Sequence, residues 1–181
     1  MNTLQNYYRL HAPVYDISRW SFLFGRQKLI ELIPDLSQPS RILDIGCGTG
    51  YHLKILAESN YDHQLLGIDL SPDMLKICRA KTNHLDNTEI FEGDFLDVPL
   101  QNESFDLIVS SYSLSMIQDP KAALSRIYKL LKPGAYFTLL DFSDSRYHWF
   151  KRWMGVNHVS FDSDIIQSVR KEMKTVHHIK E

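Results

Sequence analysis

The sequence is short of cysteine, of charge of one sign and of long apolar runs, and each shortage excludes a class of protein. Cys47 and Cys78 are the only cysteines among 181 residues. They make neither a disulfide framework nor a metal-ligand spacing, so a reducing cytoplasm is the expected compartment. A formal net charge of -2 exerts no general pull on nucleic acid, and that partner is not expected. No stretch is long and apolar enough to span a bilayer. The opening "MNTLQNYYRLHAPVYD" lacks the apolar centre of a signal peptide. The eight histidines include no His-x-x-x-His pair on a predicted helix, and the adjacent His177 and His178 are poorly set for joint ligation, so no metal is expected. Internal repeats and low-complexity linkers are absent too. With 44% hydrophobic and 23% charged residues, the chain reads as one globular domain.

What is present is alternation. "SFLFGRQKLIELI" (21–33) sets Phe22, Arg26, Leu29, Ile30 and Ile33 at helical spacing before Pro34. "RILDI" (41–45) predicts a strand, and Leu53, Leu56 and Ala57 predict the helix after it. "HQLLGIDL" (63–70) predicts a second strand. Ser71-Pro72 reads as an N-cap and first helical residue, followed by the stripe Met74, Ile77 and Cys78. "TEIFEGDF" (88–95) and the almost continuously apolar "SFDLIVSSY" (104–112) predict the third and fourth strands. Asp119-Pro120 opens a helix with Ala123, Ile127, Leu130 and Leu131 on one face, "KPG" ends it, and "AYFTLLDF" (135–142) is the fifth strand. Strands alternating with helices imply an α/β, doubly wound, mostly parallel sheet. Such sheets bind ligands at the carboxyl ends of their strands. Asp44, Asp69, Asp94, Ser110, Ser111 and Asp141 all fall there.

Between the first strand and its helix, "ILDIGCGTGYHL" packs Gly46, Gly48 and Gly50 behind Asp44. Glycine costs conformational entropy on folding, so three at one turn imply a close approach to the backbone. The spacing is G-x-G-x-G, with the acid in front. The dinucleotide fingerprint is G-x-G-x-x-G, with its acid about 20 residues later. A pyrophosphate is repelled by Asp44, whereas a ligand bearing an amino group is not.

"LDIGCGTG" resembles the first motif of the class I S-adenosylmethionine-dependent methyltransferases. In register with it, "LLGIDLSPDML", "EGDF", "FDLIVSSYSLSMI" and "LSRIYKLLKPGAYFTLLDF" resemble the later motifs, so the resemblance covers about residues 40 to 142. It implies a Rossmann-like fold, S-adenosylmethionine as cofactor and S-adenosylhomocysteine as product. It implies that Gly46, Gly48 and Gly50 bring backbone to the cofactor, with Cys47 contributing backbone alone. It further implies that Asp44 holds the amino group and Asp69 takes the ribose hydroxyls. Leu70 and Met74 would pack on adenine, Asp94 would accept from its amine with Phe95 nearby, and Ser110 and Ser111 would line the floor beneath the methyl group.

The flanks resemble methyltransferases of lipid head-group amines, with the betaine-lipid N-methyltransferases nearest. Tyr15-Asp16 also resembles the ubiquinone and menaquinone C-methyltransferases. By that resemblance residues 1–36 are a helical cap over the cofactor, 37–142 the cofactor-binding core and 143–181 the acceptor side. Tyr15 would touch the methionine end, and Arg26 would pair with its carboxylate or with a substrate anion. A small-molecule or lipid acceptor with an amine nitrogen is expected. Asp141, His158 and Tyr112 are the candidates to bind or deprotonate it. Residues 146–154 mix bases with Tyr147, Trp149, Phe150 and Trp153. That is the composition of a peripheral membrane segment, and equally of an aromatic cap. Family sheets end on two strands for which few residues remain here. The expectations are a truncated chain, a homodimer at the fifth strand's open edge, or a C-terminal segment folded over it. A truncated acceptor side would leave a cofactor-binding protein without efficient turnover.

Overall fold

A computed structural model describes residues 25–36 and 38–141, together with Val169 and Met173. Its elements run α1 (Arg26–Glu31), β1 (Arg41–Ile45), α2 (Tyr51–Ser59), β2 (Gln64–Asp69), α3 (Pro72–Thr82), β3 (Thr88–Glu92), β4 (Phe105–Ser111), a 3-10 turn (Leu114–Met116), α4 (Pro120–Leu130) and β5 (Leu131–Leu140). The strands form one sheet in the order β3-β2-β1-β4-β5. Each of its four pairings is parallel. Among the described residues β5 pairs with β4 alone. Strand order reverses between β1 and β4, and that is the crevice where doubly wound sheets take ligands.

The period-2 alternation of β1 sorts its neighbours. Leu43 and Ile45 face α4, where Ala123, Leu124, Ile127 and Leu130 close the core. Ile42 faces the other layer, with Leu29 of α1, Leu53, Leu56 and Ala57 of α2, and Leu75 and Cys78 of α3. Asp44 shares the parity of Ile42, so it lies on the α1–α2 side. In β4, Leu107 and Val109 face that same side. Phe105 and Ile108 face α4. Phe105 breaks the parity because the register with β5 shifts between it and Leu107.

Local signals set the helix starts. The Asp119 Oδ1 accepts from the backbone N–H groups of Lys121 (3.1 Å) and Ala122 (3.0 Å), with Pro120 next. Ser71 Oγ accepts from the Met74 N–H at 3.4 Å. The α4 end differs from expectation. Leu131 leaves the helix with φ -69° and ψ 136° and opens β5, paired with Phe105. Pro133 disfavours helical backbone at the residue before it, so the chain straightens ahead of "KPG".

Candidate active site

The β1–α2 turn is held from β2. The N–H groups of Gly46 (2.8 Å) and Cys47 (3.1 Å) both donate to the Ile68 carbonyl. One Asp69 oxygen accepts from the Gly48 N–H and the other from the Ser71 N–H, each at 2.8 Å. Asp69 thus ties the glycine turn to the start of α3. Burial raises its pKa, against the lowering pull of those backbone donors.

The glycines serve different ends. A Cβ on Gly46, at φ +67°, would lie 2.4 Å from the Ser113 Cβ, and one on Gly50 would lie 2.6 Å from the Cys78 sulfur. These two are glycine because the protein itself crowds them. At Gly48 a Cβ would meet nothing nearer than 4.0 Å, so this glycine faces open space. Its turn is the part of the loop that a ligand can approach.

Four polar atoms around this turn are buried without a hydrogen-bond partner: Asp44 Oδ2, Arg26 Nε, His52 Nε2 and Ser111 Oγ. Ser111 has the parity of Leu107 and Val109, so it shares a face with Asp44. Arg26 and His52 belong to the helices that cover that face. Burial lifts Asp44 to a pKa of about 8; Arg26 draws it down and Asp69 pushes it up. Burial and Arg26 together lower His52 to about 4, opposed by a hydrogen bond to the Arg26 backbone. The Arg26 guanidinium also lies 5.6 Å from the Tyr51 ring centroid.

Residues 43–139 match the family described as "Methyltransferase domain". The chain belongs to the class I S-adenosylmethionine-dependent methyltransferases. It is 30% identical over 162 residues to a 2-phytyl-1,4-naphtoquinone methyltransferase of Thermosynechococcus vestitus, covering 84% of this chain and 72% of that one. It is 31% identical over 114 residues to a demethylmenaquinone methyltransferase of Staphylococcus haemolyticus, covering 62% of this chain and 48% of the relative. The chain therefore spans about half the length of that second relative. Among solved structures, a Haemonchus contortus phosphoethanolamine N-methyltransferase superposes with a TM-score of 0.76 at 20% identity, over 94% of this chain and 44% of that one. That likeness speaks for the fold. The methyltransferase site fits the family's cofactor. S-adenosylmethionine carries an amino group, a carboxylate and a ribose diol, and the crevice offers orphaned acceptors, an arginine and an acid at the end of β2.

The expected site residues make these contacts within the protein. Both Asp141 oxygens accept from Ser115, Oδ2 from its N–H at 2.8 Å and Oδ1 from its hydroxyl at 2.6 Å. The residue expected to bind or deprotonate the acceptor thus tethers the 3-10 turn. Ser110 is fully buried and its hydroxyl bonds the Ser113 hydroxyl at 2.8 Å. Phe95 is buried in the α4-side core, with the Arg126 guanidinium 5.3 Å from its ring centroid. Asp94 is exposed in the turn after β3, and its Oδ1 accepts from the Leu96 N–H at 2.9 Å. Met74 is buried and Leu70 half-buried at the start of α3. Cys47 is buried, and a hydrogen bond to Cys78 and burial push its thiol up. Tyr112 sits at φ +55°, where its N–H donates to the Leu140 carbonyl at 2.6 Å. Tyr15, His158 and residues 146–154 lie outside the described residues.

Two residues were not singled out by sequence pattern. Ser113 donates to the Ile45 carbonyl at 2.6 Å, which fills the space that Gly46 leaves. His52 stands four residues before Leu56, inside the apolar stripe of α2, and a histidine in such a stripe is the signal that could have found it. Among the described residues no cluster of histidine, cysteine or acidic side chains could hold a metal. Nor is any described helix long and apolar enough to cross a membrane.

Proposed function

We propose that this methyltransferase transfers the methyl group of S-adenosylmethionine to a small, lipid-linked acceptor. The observation that carries the reading is the set of partnerless buried polar atoms at the β1–β4 crevice, beside a glycine turn open at Gly48. Buried polar groups are ordinarily paired, and these acquire partners when an amino acid bearing a nucleoside lies across them. Asp44 receives the amino group, Arg26 the carboxylate, and Asp69 the ribose hydroxyls through the second lone pair of each oxygen. The backbone around Gly48 lies along the ribose, Asp94 accepts from the adenine amine, and Leu70 and Met74 flank the ring.

S-adenosylmethionine supplies a methyl group already activated by its positive sulfur. What remains for the chain is alignment and exclusion of water. With Asp141 engaged by Ser115, Tyr112 is the other described candidate to meet the acceptor. The acceptor's proton leaves before binding or passes to a group in the flanks, where His158 and Tyr15 belong. The two relatives named for quinone substrates favour an isoprenoid naphthoquinol over the amine head group. The aromatic, basic stretch at 146–154 suits an acceptor drawn from a lipid surface.

The test is methyl transfer from labelled S-adenosylmethionine to demethylmenaquinol and to an ethanolamine phospholipid, each in mixed micelles. Label in the quinol supports the reading. Label in the phospholipid alone moves the acceptor to an amine. No label in either, with S-adenosylhomocysteine still bound, leaves a cofactor-binding protein without turnover.

A further inference from the structure

His52 is the second residue of α2 and is 4% exposed, yet its Nε2 has no partner. Leaving a buried polar atom unpaired costs about 1–3 kcal/mol. A leucine there would continue the stripe of Leu53, Leu56 and Ala57 at no such cost. The ring also hydrogen-bonds the Arg26 backbone. In the neutral tautomer protonated at Nδ1, the ring presents its lone pair at Nε2. Burial and the Arg26 charge keep the ring neutral at ordinary pH.

The surroundings say what this lone pair awaits. Asp44 Oδ2 is a second buried acceptor without a donor. Asp44 and His52 both belong to the α1–α2 side of the sheet. Arg26, whose Nε is likewise buried without a partner, stands on α1 over the same side of the sheet. A cation and two unfilled acceptors on one side of the sheet are complementary to a zwitterion, whose carboxylate takes the guanidinium and whose ammonium has donors only.

We propose that His52 Nε2 accepts a hydrogen bond from the α-amino group of the cofactor's methionine portion, beside Asp44. The inference rests on the cofactor reading above and adds to it the residue that recognises the ammonium. His52 is a binding and positioning residue, since it touches the end of the cofactor remote from the methyl transfer. The hydrogen bond between the ring and the Arg26 backbone also ties α1 to α2.

The test compares two ligands by titration calorimetry: S-adenosylhomocysteine, and 5′-methylthioadenosine, which keeps the nucleoside thioether and lacks the amino acid. His52→Leu should weaken S-adenosylhomocysteine roughly tenfold and leave 5′-methylthioadenosine unchanged. His52→Asn, whose amide oxygen still accepts, should recover part of the loss. An equal loss for both ligands would show a purely structural histidine and overturn the proposal, as would no loss for either. Should the leucine variant fail to fold, nitrogen NMR of the wild-type imidazole decides. The His52 Nε2 resonance should move with S-adenosylhomocysteine and not with 5′-methylthioadenosine, and an Nε2 indifferent to both ligands overturns the assignment. Binding of 5′-methylthioadenosine without S-adenosylhomocysteine would instead defeat the cofactor reading itself.

Discussion

Cofactor binding should drive a proton off Asp44. Its carboxyl is 1% exposed at the end of β1, and burial, reduced by Arg26 and reinforced by Asp69, lifts its pKa from 3.8 to about 8. At pH 7 a group titrating near 8 is protonated in roughly nine chains of ten. An ammonium placed against it favours the ionised form. Binding of S-adenosylhomocysteine at pH 7, where the ligand's amino group is already protonated, should therefore release about 0.9 proton per site. The assay is calorimetry at pH 7 in buffers of different ionisation enthalpy, where the slope of the apparent enthalpy counts protons. Asp44→Asn should abolish the slope. A flat wild-type series, or a slope that persists in the asparagine variant, refutes the reasoning. Folding follows the same linkage. The native pKa is raised above the unfolded one, so the native chain holds a proton that the unfolded chain has lost between about pH 4 and 8. Asp44's contribution to the stability of the ligand-free protein should be greatest below that window and fall as pH rises through it, by at most about 1.4 kcal/mol per pH unit; the difference from Asp44→Asn isolates it from His52, whose lowered pKa acts in the opposite sense between about pH 4 and 6.5.

The glycine turn yields a contrast. Gly46→Ala drives a Cβ to 2.4 Å from Ser113 and should cost about 2–4 kcal/mol in urea unfolding, whereas Gly48→Ala meets only left-handed strain, about 1–2 kcal/mol, and should lose cofactor affinity beyond that. If Asp141 is a tether, Asp141→Asn weakens two bonds to Ser115 and should lower stability by about 1–3 kcal/mol, with S-adenosylhomocysteine affinity retained in calorimetry. The thiols of Cys47 and Cys78 are buried, and that of Cys47 is pushed up. An aromatic disulfide reagent should therefore find neither in the native protein at pH 8 and both after unfolding in guanidinium.

The sequence by itself determined what local physics decides. Ser71 and Asp119 cap their helices by reaching backbone two or three residues ahead, and both caps are legible in the order of residues alone. So are the alternation that makes a parallel sheet, the three glycines, and the acids at the strand ends. Only the tertiary structure decided which of those residues remain available to a ligand. Asp141 is engaged by Ser115, 26 residues away, and Ser113 reaches Ile45 across 68. Gly46 and Gly50 are crowded by side chains from β4's exit and from α3, while Gly48 is open. His52 looks like a stripe residue until α1 covers it and leaves one nitrogen unpaired. A hydrogen bond removes a group from the site or leaves it there, and its partner is chosen by proximity in space, which a pattern along the chain does not encode.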